Sequence, residues 1–332
     1  MEGTACGWLK NAYGYFSPND VRDITTVAIT AVLFLVSRFV ISGTDLVKST
    51  ENYTVLPLFL NRFKIAKVNK TRKLAESIWY LGWHVSSLML TFRALALEYG
   101  TPNDRGWLYY FLRDAKGVWL FTEGPAHVER KLVTWPYISM DPAIRSLMLL
   151  ALGFWISCCI FIHWETRRSD MRIMQFHHIT TVVLITLSYK LRFHRTGLVS
   201  EAIAYDIKIQ IVMFLHDIPD VLLYMAKCTV YLRNGNQVYN AVVFVLYGIS
   251  HFVTRILLMG RYICYAILFN MDYASKSDSV MGYIFTLPGG AICTSLIAVL
   301  TTMNIYWLNL IISMARRFAR DGDINDDREH ED

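Results

Sequence analysis

Charge is scarce in this chain. Only 18% of its 332 residues are Asp, Glu, Lys or Arg, against 54% hydrophobic residues. A soluble domain of this size carries more charge, so the leading class is a membrane protein. Cysteine is limited to six residues, and no two form a CxxC pair. Five of them lie in or beside apolar runs, which reads as core packing and excludes a disulfide framework. The first 20 residues contain no apolar signal core, so a cleaved signal peptide is not expected and the first long apolar run is a retained span. No internal repeat is visible, which removes the support for an inverted-repeat transporter. No nucleic-acid module appears either, and the net charge of +6 suits anionic headgroups better.

What the chain does have is long apolar runs. A bilayer core takes about 20 residues of helix. Seven segments qualify, at roughly 24–43, 75–97, 143–163, 173–191, 208–226, 239–269 and 284–314. The expected fold is therefore all-α and polytopic, with about seven transmembrane helices. The segment 98–142, rich in Trp and Tyr, is expected to lie on or re-enter the interface.

Basic residues set the expected orientation. They crowd the segments 44–74, 164–172 and 227–238 and open the C-terminal tail with Arg316, Arg317 and Arg320. This predicts a lumenal N-terminus and a cytosolic C-terminus. The sequons at Asn52 and Asn69 would then face the cytosol unmodified. The tail "DGDINDDREHED" is acidic and is expected to be disordered. The chain thus divides into a lumenal N-terminus (1–23), a first span with a basic cytosolic loop (24–69), a membrane domain (70–314) and an acidic tail (315–332).

Ionisable groups inside a span are costly and usually face a cavity or a partner. Here they concentrate in two consecutive spans. The fourth carries His177 and His178 near its start, with Asp170 just before it. The fifth carries His216, Asp217 and Asp220, with Pro219 between the last two. The two spans run antiparallel, so His177 can meet Asp217 and Asp220 at similar depth. His177 and His178 differ by about 100° around the helix, so both cannot point at one spot.

Several chemistries suit this set. Packed, hydrogen-bonded core histidines are the plainest. His and carboxylate ligands suit a metal, but nine His with one HH pair form no HxxHH-type box. A proton relay is conceivable, although a retinal pump would want a Lys in the last span and residues 284–314 contain none. The remaining option is acyl transfer. A neutral imidazole attacks a thioester or acts as base towards an amine, and a carboxylate orients it or holds a cationic amine. Arg167, Arg168, Arg172 and Lys227 line the basic mouth and suit the phosphates of a CoA ester.

The run "ETRRSDMRIMQFHHITTVVLITLSY", then "RTG" and "HDIPDVLLYMAK", resembles the signature of ceramide synthases in the TLC-domain family. The matching residues are Arg167, Arg168, Asp170, His177, His178, Ser188, Tyr189, Arg195, Gly197, His216, Asp217, Asp220 and Lys227. Weaker agreement extends through "KLAESIWY" and "FVTR", and the resemblance covers roughly 70–314. There are departures. About a dozen extra residues lie between Gly197 and His216, Tyr224 stands where a carboxylate is usual, and the 44–74 loop is too short for a homeobox-like insert.

The resemblance implies an acyl-CoA-dependent N-acyltransferase of the endoplasmic reticulum membrane that acylates a sphingoid base. It implies six spans in a barrel-like bundle around a buried acyl channel, and acyl-CoA as co-substrate with no other cofactor and no metal. His177, His178, Asp217 and Asp220 would be catalytic. Asp170, Ser188, Tyr189, His216, Arg167, Arg168, Arg172 and Lys227 would contact substrates. A homo- or hetero-dimer and a small membrane accessory subunit are the implied protein partners. The last lumenal loop, about "NMDYASKSDSVMGY", would bear on chain length. A non-catalytic lipid-binding or translocon-associated TLC relative is the alternative, as is a seven-span receptor or transporter.

Overall fold

The computed structural model describes residues 19–42, 54–67, 70–99, 142–165, 169–190, 209–233, 235–264 and 290–321. Among them regular structure is helical, apart from one isolated antiparallel bridge between Ala66 and Leu232. The helices are α1 (Asn19–Ser42), α2 (Val55–Arg62), α3 (Thr71–Tyr99), α4 (Pro142–Phe161), α5 (Met171–Lys190), α6 (Ile209–Tyr231), α7 (Gln237–His251) and α8 (Gly290–Asp321). The segment Phe252–Cys264 continues α7 as a π-helix. A helix thus stands at each of the seven expected apolar segments.

Among the described residues, four helical stretches have the length and hydropathy of a membrane span: Val21–Ile41, Pro142–Phe161, Gln237–Arg261 and Ile292–Arg320. The chain is a multi-pass membrane protein. α3, α5 and α6 do not meet the same hydropathy requirement, and the reason lies in their buried faces. α3 buries Glu76, Tyr80, His84, Ser87 and Thr91, spaced three or four residues apart. That spacing is one helical stripe, and it is polar and points inward. α5 buries His177, His178, Thr180 and Ser188, and α6 buries Asp217.

Apolar side chains run the other way on the peripheral helices. α1 exposes Val21, Ile24, Ile29, Val32, Leu33 and Val36. α7 exposes Val238, Val242, Val245, Leu246 and Ile249. In lipid such faces need no protein cover.

Neighbouring helices pair in a definite order. α3 packs along α6, and α6 along α7 and the π-helical segment. That segment meets α8, α8 meets α5, α5 meets α4, and α4 meets α3; α1 lies along α4. The main core cluster includes Phe154, Met148, Leu215, Ile185 and Met259. Trp83 stacks on Phe154 at 3.9 Å between ring centroids, and Phe34 of α1 meets both edge-on.

α1 is fixed at three heights. Near its start Asp23 accepts hydrogen bonds from Arg145 at 2.5 Å and from Tyr189. Midway, Gly153 of α4 admits Thr30 so closely that a Cβ there would lie 2.1 Å from the Thr30 hydroxyl. Near its end Arg38, fully buried, bonds Glu165 at 3.0 Å and lies over the Trp79, Tyr80 and Phe161 rings.

Local signals set the helix ends. Asn236 caps α7, its side-chain oxygen accepting from Val238 N at 2.9 Å and Tyr239 N at 3.4 Å. Gly235 before it passes the Thr229 carbonyl so closely that a Cβ would sit 2.4 Å away. α2 ends at Phe63, followed by Lys64 with φ of 50°.

Two sequence expectations need comment. α8 continues to Asp321, past the boundary expected at 314, carrying Arg316, Arg317 and Arg320 as its last turns. Cations there complement the helix C-terminus. The segment 98–142, the connection after Gly197, the loop "NMDYASKSDSVMGY" and the acidic tail lie almost wholly outside the described residues. The cysteines that the structure describes are free thiols.

Candidate active site

A cleft with about 510 Å³ of empty space, part of it open, lies between α3, α4, α5, α6 and α8. Its wall includes His177, His216, Asp217, Asp220, Ser87 and Trp155. Its apolar wall includes Leu184, Ile185, Val212 and Leu300. Such a mix of apolar lining and convergent polar groups is the usual form of a small-molecule site.

α6 supplies the carboxylates. One Asp217 oxygen accepts from His84 Nδ1 at 2.8 Å, and the other accepts from the Ser87 hydroxyl at 2.6 Å. Both donors come from the polar stripe of α3. Asp220, one turn on, meets the Arg255 guanidinium at 2.7 Å and His84 Nδ1 at 3.9 Å. Asp217 is buried, whereas the Asp220 side chain keeps 17% exposure, so Asp220 is the more accessible of the two. Arg255 also donates to the His216 carbonyl at 2.7 Å. That carbonyl lies in the turn loosened by Pro219, which has no N–H to return to Leu215.

His216 is held at both ring nitrogens. Nδ1–H donates to the Val212 carbonyl at 2.8 Å, which leaves Nε2 to accept from the Asn304 amide at 3.3 Å. The Asn304 backbone carbonyl in turn accepts from His251 Nε2 at 3.1 Å. This imidazole is therefore committed to the fold.

His177 differs. Its ring sits between the edges of Trp307 and Trp155, at 5.1 and 5.9 Å between centroids. Its Nδ1 has no hydrogen-bond partner among the described residues. No hydrogen bond links it to Asp217 or Asp220, although the three share the cleft wall. His178 rests against Trp155 at 5.4 Å and His177 at 5.9 Å, and is not part of that wall.

The other residues expected to contact substrate spread along the helices. Asp170 is buried in the turn before α5, where its carbonyl accepts from Met174 N at 3.0 Å. Arg172 is exposed and Lys227 half-buried at the basic end. Arg167 and Arg168 lie outside the described residues. Ser188 is buried three turns beyond His177. Tyr189 is not at the cleft: its hydroxyl is bonded to Asp23 in the Asp23–Arg145 cluster that anchors the start of α1. The sequence reading missed His84, Ser87, Asn304 and the two tryptophans, and gave Arg255 no role within "FVTR". The helical spacing of polar residues in α3 was the signal for the first two.

His84, Asp217 and Asp220 bring one donor atom each within 4.8 Å of one another, a set able to hold a cation. Arg255 supplies a cationic partner to Asp220 here. The arrangement offers a base or nucleophile in His177, a carboxylate near it for a cationic amine, and an apolar wall for a chain.

A TLC domain family model matches residues 105–313. Ceramide synthase LOH1 of Arabidopsis thaliana is 29% identical over 278 residues, which covers 79% of this chain and 76% of that protein. ASC1-like protein 1 of Oryza sativa subsp. japonica is 28% identical over 336 residues, covering 97% and 92%. Ceramide synthase 4 of Homo sapiens is 28% identical over 193 residues, covering 58% and 43%. The family match spans more than half of the sequence, and the chain belongs to the TLC domain family.

Proposed function

We infer that this protein is a ceramide synthase, an enzyme that moves a fatty acyl group from acyl-CoA to the amine of a sphingoid base. The observation that carries the reading is the presence of His177, Asp217 and Asp220 on the wall of one largely apolar cleft, in a chain whose relatives are named ceramide synthases.

In this reading a His177 nitrogen attacks the thioester carbon. The C–S bond breaks and CoA leaves as thiolate. The sphingoid amine, held first as ammonium by the Asp217 and Asp220 pair, loses a proton and attacks the acyl-imidazole. The amide forms, the C–N bond to the ring breaks, and the imidazole is restored. Over the cycle the ammonium gives up two protons, one to the CoA thiolate and one to solvent. His178 flanks the ring, and Asp217 contributes fixed negative charge. Arg167, Arg168, Arg172 and Lys227 receive the CoA phosphates.

The order of helix neighbours supports a ring of six: α3, α6, α7 with its π-helical extension, α8, α5 and α4, with α1 outside. Seven spans, a lumenal N-terminus and a cytosolic C-terminus in the endoplasmic reticulum membrane complete the proposal, on the strength of the basic loops. A homo- or hetero-dimer and a small accessory subunit are its proposed partners.

Purified protein incubated with labelled sphinganine and a series of acyl-CoA esters tests this directly. The expected product is the N-acyl base, and its absence with every ester would remove the assignment. Intact mass after acyl-CoA alone tests the covalent route. Unmodified protein with intact turnover leaves His177 as a general base in a one-step attack.

A further inference from the structure

We propose that His84 is a positioning residue for the reaction, acting through Asp217; the assignment rests on the acyl-transfer reading above.

Three observations carry it. His84 is 3% exposed and does not belong to the cleft wall, so it works from behind. It and Ser87, three residues apart on α3, each take one oxygen of the Asp217 carboxylate, at 2.8 and 2.6 Å. The imidazole plane is itself fixed, lying nearly parallel to the Tyr224 ring at 5.5 Å, with Tyr80 stacked on Tyr224 at 4.9 Å.

The consequence is electrostatic. A carboxylate that accepts one hydrogen bond on each oxygen cannot turn without losing both. Asp217 therefore faces the cleft in one fixed orientation. Asp220 beside it is matched by Arg255. Of the two carboxylates, only Asp220 meets a guanidinium among the described residues. A sphingoid ammonium supplies the missing positive charge. His84 thus sets the field that draws the acceptor amine towards His177, and it has no part in handling the thioester.

The same geometry also fits a core histidine that only stabilises the α3–α6 contact, so the test separates the two. His84→Phe keeps an aromatic ring on Tyr224 and donates nothing. In His84→Asn the amide N–H takes roughly the place of the imidazole Nδ1–H and still reaches Asp217. Ser87→Ala removes the second bond and leaves the ring alone. Each variant of the full chain is assayed in nanodiscs with sphinganine and acyl-CoA varied separately, and its thermal unfolding is recorded.

The expected result for His84→Phe is a roughly 10- to 100-fold lower kcat/KM for sphinganine, the scale of a misplaced group. The KM for acyl-CoA stays unchanged. His84→Asn recovers most of that loss, and Ser87→Ala shows a smaller drop in the same parameter. An unchanged sphinganine kcat/KM in His84→Phe overturns the proposal. So does an Asn variant as poor as Phe, which would mean the ring itself moves a proton. A loss that tracks thermal stability and falls equally on both substrates also overturns it. If His84→Phe does not fold, Ser87→Ala with wild-type kinetics has the same force. A wild type without turnover overturns the functional reading first, and this assignment with it.

Discussion

The guanidinium of Arg255 lies 2.7 Å from the Asp220 carboxylate and 2.7 Å from the His216 carbonyl. One side chain from the π-helical segment thus neutralises the more accessible carboxylate and tethers the His216 carbonyl of α6. Replacing Arg255 by Met removes both contacts. Breaking a buried pair from one side costs about 3–5 kcal/mol. The variant should unfold at clearly lower temperature in detergent, and Arg255→Lys should restore part of the loss because it returns the charge without the planar fork.

His177→Ala removes the ring whose Nδ1 has no partner among the described residues. Asp220→Asn keeps the shape of the side chain and removes its charge. Both should abolish N-acylation of sphinganine while the protein still elutes as a single folded species. Near-normal turnover in either would take that residue out of the chemistry.

Gly153→Ala sets a methyl group 2.1 Å from the Thr30 hydroxyl and 3.0 Å from the Ala31 backbone nitrogen. Backbone on that side cannot yield cheaply, and overpacking of this kind costs about 1–3 kcal/mol. Combining it with Thr30→Ala should recover only part, since the Ala31 nitrogen stays in place. Thermal unfolding of the two single variants and the double variant measures the coupling.

Tyr189→Phe tests what the Tyr189 hydroxyl is for. The resemblance put this residue with the substrate, whereas its hydroxyl is bonded to Asp23 near the start of α1. Removing one donor to a buried carboxylate costs about 1–3 kcal/mol, and Arg145 still holds Asp23. Stability should fall while the KM for sphinganine and for acyl-CoA stay as they are. A selective rise in either KM would return Tyr189 to the binding site.

Long apolar runs made the helices legible, because little except a helix can satisfy the backbone in lipid. His177, Asp217 and Asp220 were legible because an ionisable group stands out in an apolar run. His84 was not, although it is as deeply buried. It lies in a helix with polar residues all along one stripe, so no single one of them is conspicuous. Only their period, from Glu76 through Tyr80, His84 and Ser87 to Thr91, marks the inward face. Arg255 escaped notice for a different reason: its partner Asp220 is 35 positions away in the chain, and sequence spacing carries no sign of a contact between two helices. The tryptophans beside His177 come from α4 and α8 and were hidden in the same way.

Tyr224 stands where relatives are expected to carry a carboxylate, and its ring is the floor on which His84 lies. A carboxylate at that position would offer His84 no flat surface and would add a third acid to its neighbourhood. Positions 84 and 224 then act as a matched pair, and swapping either alone should cost more than swapping both.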